Sequence, residues 1–169
     1  MTAPVAEKTD LKQHRMLISE AEYETAIDEV IAQAQSTLHV FDTDLKHGGY
    51  SSLKRFEGLR DFLLRSRGNR LVLVLHESDY LTAHCPRLMN LLKMHSHCIE
   101  IHKTHEHARL ASDPFVVADA THYLHRFHHD DARSLLALHD HAGARQLEER
   151  FGQLLAASHP AVFATTLGL

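Results

Sequence analysis

Tryptophan is absent from the 169 residues, cysteine occurs only twice, and neither sign of charge dominates. Cys85 and Cys98 lie on either side of a predicted helix, so reduced, partly buried thiols are expected rather than a structural disulfide. No apolar run approaches the roughly 20 residues that a bilayer-spanning helix needs. The opening MTAPVAEKTD lacks the apolar centre of a secretory signal, and a cytoplasmic chain with no membrane span is the expectation. A net charge of −4 gives no general attraction to nucleic acid or anionic membrane. The aromatic residues show no stacking pattern of the single-strand-binding kind, so nucleic acid is an unexpected partner. Internal repeats and low-complexity segments are also missing. What is left, 44% hydrophobic and 24% charged, suits one soluble domain with one core.

Histidine is the residue in excess, with 17 copies concentrated in the second half. Protonating all of them would raise the formal charge by 17, a swing that no other residue class supplies between about pH 8 and pH 5. The plain reading is a surface rich in imidazole. His-x-His pairs at 95 and 97, 105 and 107, and 139 and 141 put two rings on one side of an extended chain. His125 and His129, near Asp130 and Asp131, add potential ligands. None of these spacings is a standard zinc signature. No cofactor is expected beyond adventitious zinc or nickel, with His105, His107, His125 and His129 as the metal candidates.

Along the chain, residues 1–12 read as a flexible tail, 13–158 as the domain, and 159–169 as a tail docking on it. HRMLI at 14–18 predicts a strand, and Ser19 with Glu22 has the spacing of a capping box. Tyr23, Ile27, Val30, Ile31 and Ala34 then recur at helical intervals. TLHVF at 37–41 predicts a strand, and DTDLKHGGYS at 42–51 a loop. A helix over about 52–66 has Leu53, Phe56, Leu59 and Leu63 as its inner stripe and Gly68 as a left-handed stop. LVLVL at 71–75 has the unbroken apolar character of a central parallel strand. Pro86 opens an apolar helix, and CIEIH at 98–102 alternates as a strand does. Residues 104–113 predict a loop, 115–118 and 123–127 a hairpin, 135–138 a strand, and 142–157 a final helix. Between Lys46 and Arg70 seven basic residues face two acidic ones, which reads as a solvated helix face.

This order, and above all the stretch SDPFVVADATHYLHRFHHDDARSLLALHD from Ser112 to Asp140, resembles one half of the phospholipase D superfamily. The resemblance implies an α/β three-layer sandwich with a mixed, largely parallel sheet flanked by helices. In that family two H-x-K-x-x-x-x-D motifs meet: one His attacks phosphorus, the other protonates the leaving oxygen, and the lysines hold the phosphate. Counting back from Asp119 places Ser112 at the His position and Pro114 at the Lys position, so Asp119 alone matches. A proline supplies no cation, and the serine has no evident base. Arg126, His129 and Asp140 are the positions that the resemblance leaves for holding an anion. The chain also resembles a group of proteobacterial phospholipase D-like domains of unknown function, with Asp44–Leu45 after the second strand, Arg126 after the hairpin, and Leu167 and Leu169 at the end. The expectation is a non-catalytic domain that binds a protein partner or an anionic small molecule, with a two-fold homodimer as one form. A phosphodiesterase or metal-dependent hydrolase using displaced histidines is an alternative, as is a metal or pH sensor.

Overall fold

The computed structural model describes residues 11–164, and Leu167 and Leu169 lie outside the described residues. Its elements are β1 (Gln13–Leu17), α1 (Glu20–Gln33), β2 (Thr37–Asp42), α2 (Leu53–Arg65), β3 (Arg70–Leu75), α3 (Asp79–His84), α4 (Pro86–Met94), β4 (Ile99–Thr104), β5 (Phe115–Ala118), β6 (His122–His128), β7 (Asp131–Leu138), α5 (His141–Ala156) and β8 (Ser158–Pro160). The strands form one sheet in the order β1-β7-β6-β5-β2-β3-β4-β8.

The three-layer α/β architecture is as expected, but the parallel share of the sheet is smaller. Only β2–β3 and β3–β4 pair in parallel. The meander β5–β6–β7 and the end strands β1 and β8 all pair antiparallel. Tight turns enforce this within the β5–β6–β7 meander, since such short connections join only antiparallel strands. One face buries Tyr23, Ile27, Val30 and Ile31 of α1 and the inner sides of α2, α3 and α4 against the sheet. On the other face, α5 packs Leu147, Phe151 and Leu154 onto Phe41, Val74, Phe115 and Val117.

Side-chain caps open α1, α2 and α5. The Ser19 hydroxyl accepts the Glu22 amide at 3.2 Å, and the Glu22 carboxylate accepts the Ile18 amide at 2.9 Å. Ser52 caps α2 through the Arg55 amide. The inner stripe of α2 departs from its periodicity. Leu53 is 51% exposed, while Arg55 is buried, donating to Asp28 and to the Glu24 carbonyl and lying over the Tyr50 ring. Gly68 does not adopt a left-handed conformation, because α2 already ends at Arg65 with an extended Ser66.

The β5–β6 turn has an unusual backbone. The Thr121 amide donates to the Ala118 carbonyl, and both central residues have positive φ, 55° at Asp119 and 50° at Ala120. This is the left-handed pairing that hairpin turns favour, and it is normally filled by Asn-Gly. Ala120 carries the steric penalty of a Cβ there, so Ala120→Gly should raise stability by about 1 kcal/mol. A urea titration showing no gain would contradict that assignment.

Candidate functional site

The candidates fall at two opposite ends of the sheet. At the first end, Asp119 clamps the entry to β2. Its carboxylate accepts the amides of Gln35 (2.8 Å), Ser36 (2.8 Å) and Thr37 (2.9 Å) and the Ser36 hydroxyl (2.9 Å). Burial acts to raise its pKa, but these hydrogen bonds outweigh burial and hold it below the usual value. Asp140 lies at the same end as the N-cap of α5. It accepts the Gly143 amide at 3.1 Å and the Tyr123 hydroxyl at 2.9 Å, with His14 at 2.8 Å and Lys12 at 3.4 Å. Arg126 pairs with Ser134, six positions before Asp140 along β7 and its continuation. At about 3.3 Å per residue, Asp140 is therefore ~20 Å from Arg126 and does not share a pocket with it.

Ser112, Pro114, Arg126 and His129 do meet, at the other end. The His129 amide donates to the Ser112 carbonyl and the Arg126 amide to the Pro114 carbonyl, both at 2.8 Å, so the motif positions extend the β5–β6 ladder. The Arg126 side chain is 1% exposed. Its Nη1 and Nη2 grip the Glu20 carboxylate at 2.8 and 2.7 Å, its Nε and Nη2 donate to the His128 and His129 carbonyls, and its guanidinium lies over the Tyr23 ring. The same hydrogen bond holds the Glu20 carboxyl below its ordinary pKa. Two further arginines at this end are likewise paired, Arg109 with Glu77 and Arg150 with Asp113. Asp113 also bonds His125 at 2.8 Å. Burial pulls the Asp113 carboxyl up, and the bonds from His125 and Arg150 more than reverse that.

His76, at the end of β3, is the imidazole placed deepest here. Its Nδ1 lies 2.6 Å from the Thr104 hydroxyl and its Nε2 2.5 Å from the Ala111 carbonyl. Burial lowers its pKa. The neutral ring therefore donates from Nε2 and accepts at Nδ1, with no lone pair left to take a substrate proton. His105 and His107 stack 5.9 Å apart elsewhere, with His159 beside His105. Sequence reasoning did not find Glu20, Asp42, His76, Arg109, Asp113 or Arg150 at this end. Except for Asp42, which its neighbours Asp44 and Leu45 contact, each is set by a contact distant in the chain.

Asp42 closes β2 and is 4% exposed. It accepts only long bonds from the Asp44 and Leu45 amides, at 3.3 and 3.4 Å. Burial pushes its carboxyl up to about 6, and those amides offset the effect in part.

An open sheet of this order, with α-helical layers on both sides and a β5–β6–β7 meander beside three parallel strands, defines a phospholipase D-like fold. Nuc from Salmonella typhimurium, a phospholipase D family member, superposes with a TM-score of 0.67 at 10% identity over 89% of this chain and 99% of its own. NucT from Helicobacter pylori does so at 0.61 and 10% identity, over 89% of this chain and all of its own. TrmBL2, an archaeal chromatin protein with a novel mode of DNA binding, superposes at 0.65 and 10% identity over 93% of this chain, which spans 57% of TrmBL2. No curated protein matches in sequence. Residues 19–163 match the model of a domain of unknown function, DUF7931, and the chain belongs to that family.

Two outcomes follow from the carboxylates. Asp119→Ala removes the acceptor of three amides and a hydroxyl and should cost about 2–3 kcal/mol by denaturant titration. Asp42→Asn keeps an accepting oxygen and removes the titration. The native state holds the Asp42 proton more tightly than the unfolded chain, whose value is near 3.8. The variant should therefore match the parent below about pH 4 and gain up to ~3 kcal/mol above about pH 6. Equal stability at neutral pH would mean that Asp42 is not an ionised burden.

Proposed function

We propose that the chain is a non-catalytic phospholipase D-like domain that works by binding a partner, first of all a second copy of itself. The observation that carries this reading is the state of the Ser112–Arg126 end. Phosphoryl transfer needs an in-line nucleophile and cations free to meet developing charge. Here Ser112 and Pro114 stand at the motif positions, and Arg109, Arg126 and Arg150 are each neutralised by a carboxylate of the same chain. An anionic ligand would have to displace Glu20 from a bidentate pairing with the buried Arg126 guanidinium, so a protein partner is favoured over a free anion.

The uncovered part of the sheet supports self-association. Met16, Leu135 and His125 lie in one row across β1, β7 and β6, which continues through Phe115 and Phe41 on the face that α5 covers. Helix α5 packs on β2, β4, β5, β6 and β8, and toward the β1 edge Met16 is 59%, Ile18 74% and Phe127 43% exposed. A surface that meets its own copy across a two-fold is buried on both molecules at once. The basic stretch offers less to nucleic acid than its count suggests. Arg55 is spent on Asp28, Arg65 on the Ala34 carbonyl and Arg70 on the Arg67 and Asn69 carbonyls. Among the described residues no helix is long and apolar enough to cross a membrane.

Light scattering after size exclusion should report a dimer that Met16→Glu with Phe127→Glu converts to monomer. A strictly monomeric parent at high concentration would remove the self-association. Hydrolysis of a chromogenic phosphodiester, with and without divalent metals, should stay at background. Turnover lost on His129→Ala would overturn the non-catalytic reading.

A further inference from the structure

The turn between β6 and β7 carries a cluster that the reading above does not use. His128 pairs with Asp131 across the ladder, leaving His129 and Asp130 as the two turn residues. The rings of His128 and His129 stack with centroids 4.5 Å apart at 28°. His129 Nε2 lies 3.2 Å from Asp130 Oδ1. Each of the three residues offers a ligand atom, and these atoms lie within 4.8 Å of one another.

We infer that this turn is a binding site for one first-row transition-metal ion of the zinc or nickel kind, held by His128, His129 and Asp130. Two ligands each about 2.0–2.1 Å from a tetrahedral ion stand roughly 3.3 Å apart, so His129 Nε2 and Asp130 Oδ1 are already at a coordination edge. Two imidazoles and one carboxylate suit such an ion and leave a position open for water. His129 presents Nε2 to the Asp130 carboxylate, while its Nδ1 is buried without a hydrogen-bond partner, so ligation through Nε2 leaves the ring proton on Nδ1. His128 Nδ1 accepts the Asp130 amide at 3.2 Å, an exposed bond that ligation can release.

Binding also needs ligands held in place, and the backbone supplies this. Arg126 Nε and Nη2 donate to the carbonyls of His128 and His129 at 3.2 and 2.9 Å, and the His129 amide is anchored on the Ser112 carbonyl. Among the described residues this is the one group of three whose ligand atoms converge. The His105–His107–His159 stack is close by ring centroid without such convergence, which makes it the natural control. The inference stands apart from the non-catalytic reading, since an ion is held here whether or not the chain turns over a substrate.

The test is competition for Zn2+ between a chromophoric chelator and the tag-free full chain, with Cu2+ electron paramagnetic resonance to count coordinating nitrogens. The parent should hold one ion more tightly than its remaining histidines do, with two imidazole nitrogens in the Cu2+ spectrum. His129→Ala and Asp130→Asn should each weaken that site at least tenfold with melting temperature in the metal-free state unchanged, and His105→Ala with His107→Ala should leave it intact. An adventitious ion only, shown by equal weakening in the control variant or by undiminished affinity in His129→Ala, would overturn the assignment.

Discussion

The guanidinium of Arg126 joins the start of α1 to the β6–β7 turn, although 106 residues separate Glu20 from Arg126. Through Glu20 it fixes the start of α1, through the carbonyls of His128 and His129 it fixes the β6–β7 turn, and its face rests on Tyr23 in the core. A buried charge is costly unless its donors are satisfied, and truncating one partner of such a pair typically costs about 3–5 kcal/mol. Glu20 keeps one side to solvent, so the pair is less severely desolvated than a fully buried one. The same contacts have a functional consequence. A cation consumed in holding an element in place is no longer available to a substrate.

The two ends of the sheet divide the labour. At the end of Asp119 and Asp140, carboxylates cap backbone amides and fix where β2 and α5 begin. At the end of Ser112 and Arg126, charged side chains face each other in pairs, and the exposed β6–β7 turn projects beyond them. In parallel-sheet proteins the loops beyond the carboxyl ends of strands are the usual seat of function. Here β2, β3 and β4 all point their carboxyl ends toward the Arg126 side, where Asp42 and His76 lie. Asp119 serves the scaffold by contact, since all four hydrogen bonds that its carboxylate accepts come from the Gln35–Thr37 entry.

Much of this fold is legible in the residues because its signals are local. Ser19 and Glu22 announce α1, Pro86 opens α4 at its first turn, and Leu71–Leu75 declare a strand covered on both faces. The parts that escape are set by distant contacts. Arg55 takes an inner position on α2 because Asp28 and Tyr50 wait for it there, and nothing within the helix says so. Strand β8 exists because β4 offers an edge, and α3 is too short for periodicity to reveal it. The site divides the same way. That Ser112, Pro114, Arg126 and His129 meet follows from hairpin pairing, which turn residues foretell. Asp140 is grouped with them by motif spacing alone, and the length of β7 separates it.

The residues at positions 112 and 114 suit this scaffold for a simple physical reason. What the sheet requires at positions 112 and 114 is backbone: the carbonyl of Ser112 for the His129 amide and that of Pro114 for the Arg126 amide. Any residue provides a carbonyl, and a proline just before the first residue of a strand costs no ladder bond when its nitrogen is not needed as a donor. The register of β5 on β2 begins at Phe115, one residue later. Serine and proline are therefore compatible with the hairpin although neither can replace a nucleophilic imidazole or a phosphate-holding ammonium. The demands of folding act on the main chain here, and they leave the side chains at positions 112 and 114 unconstrained.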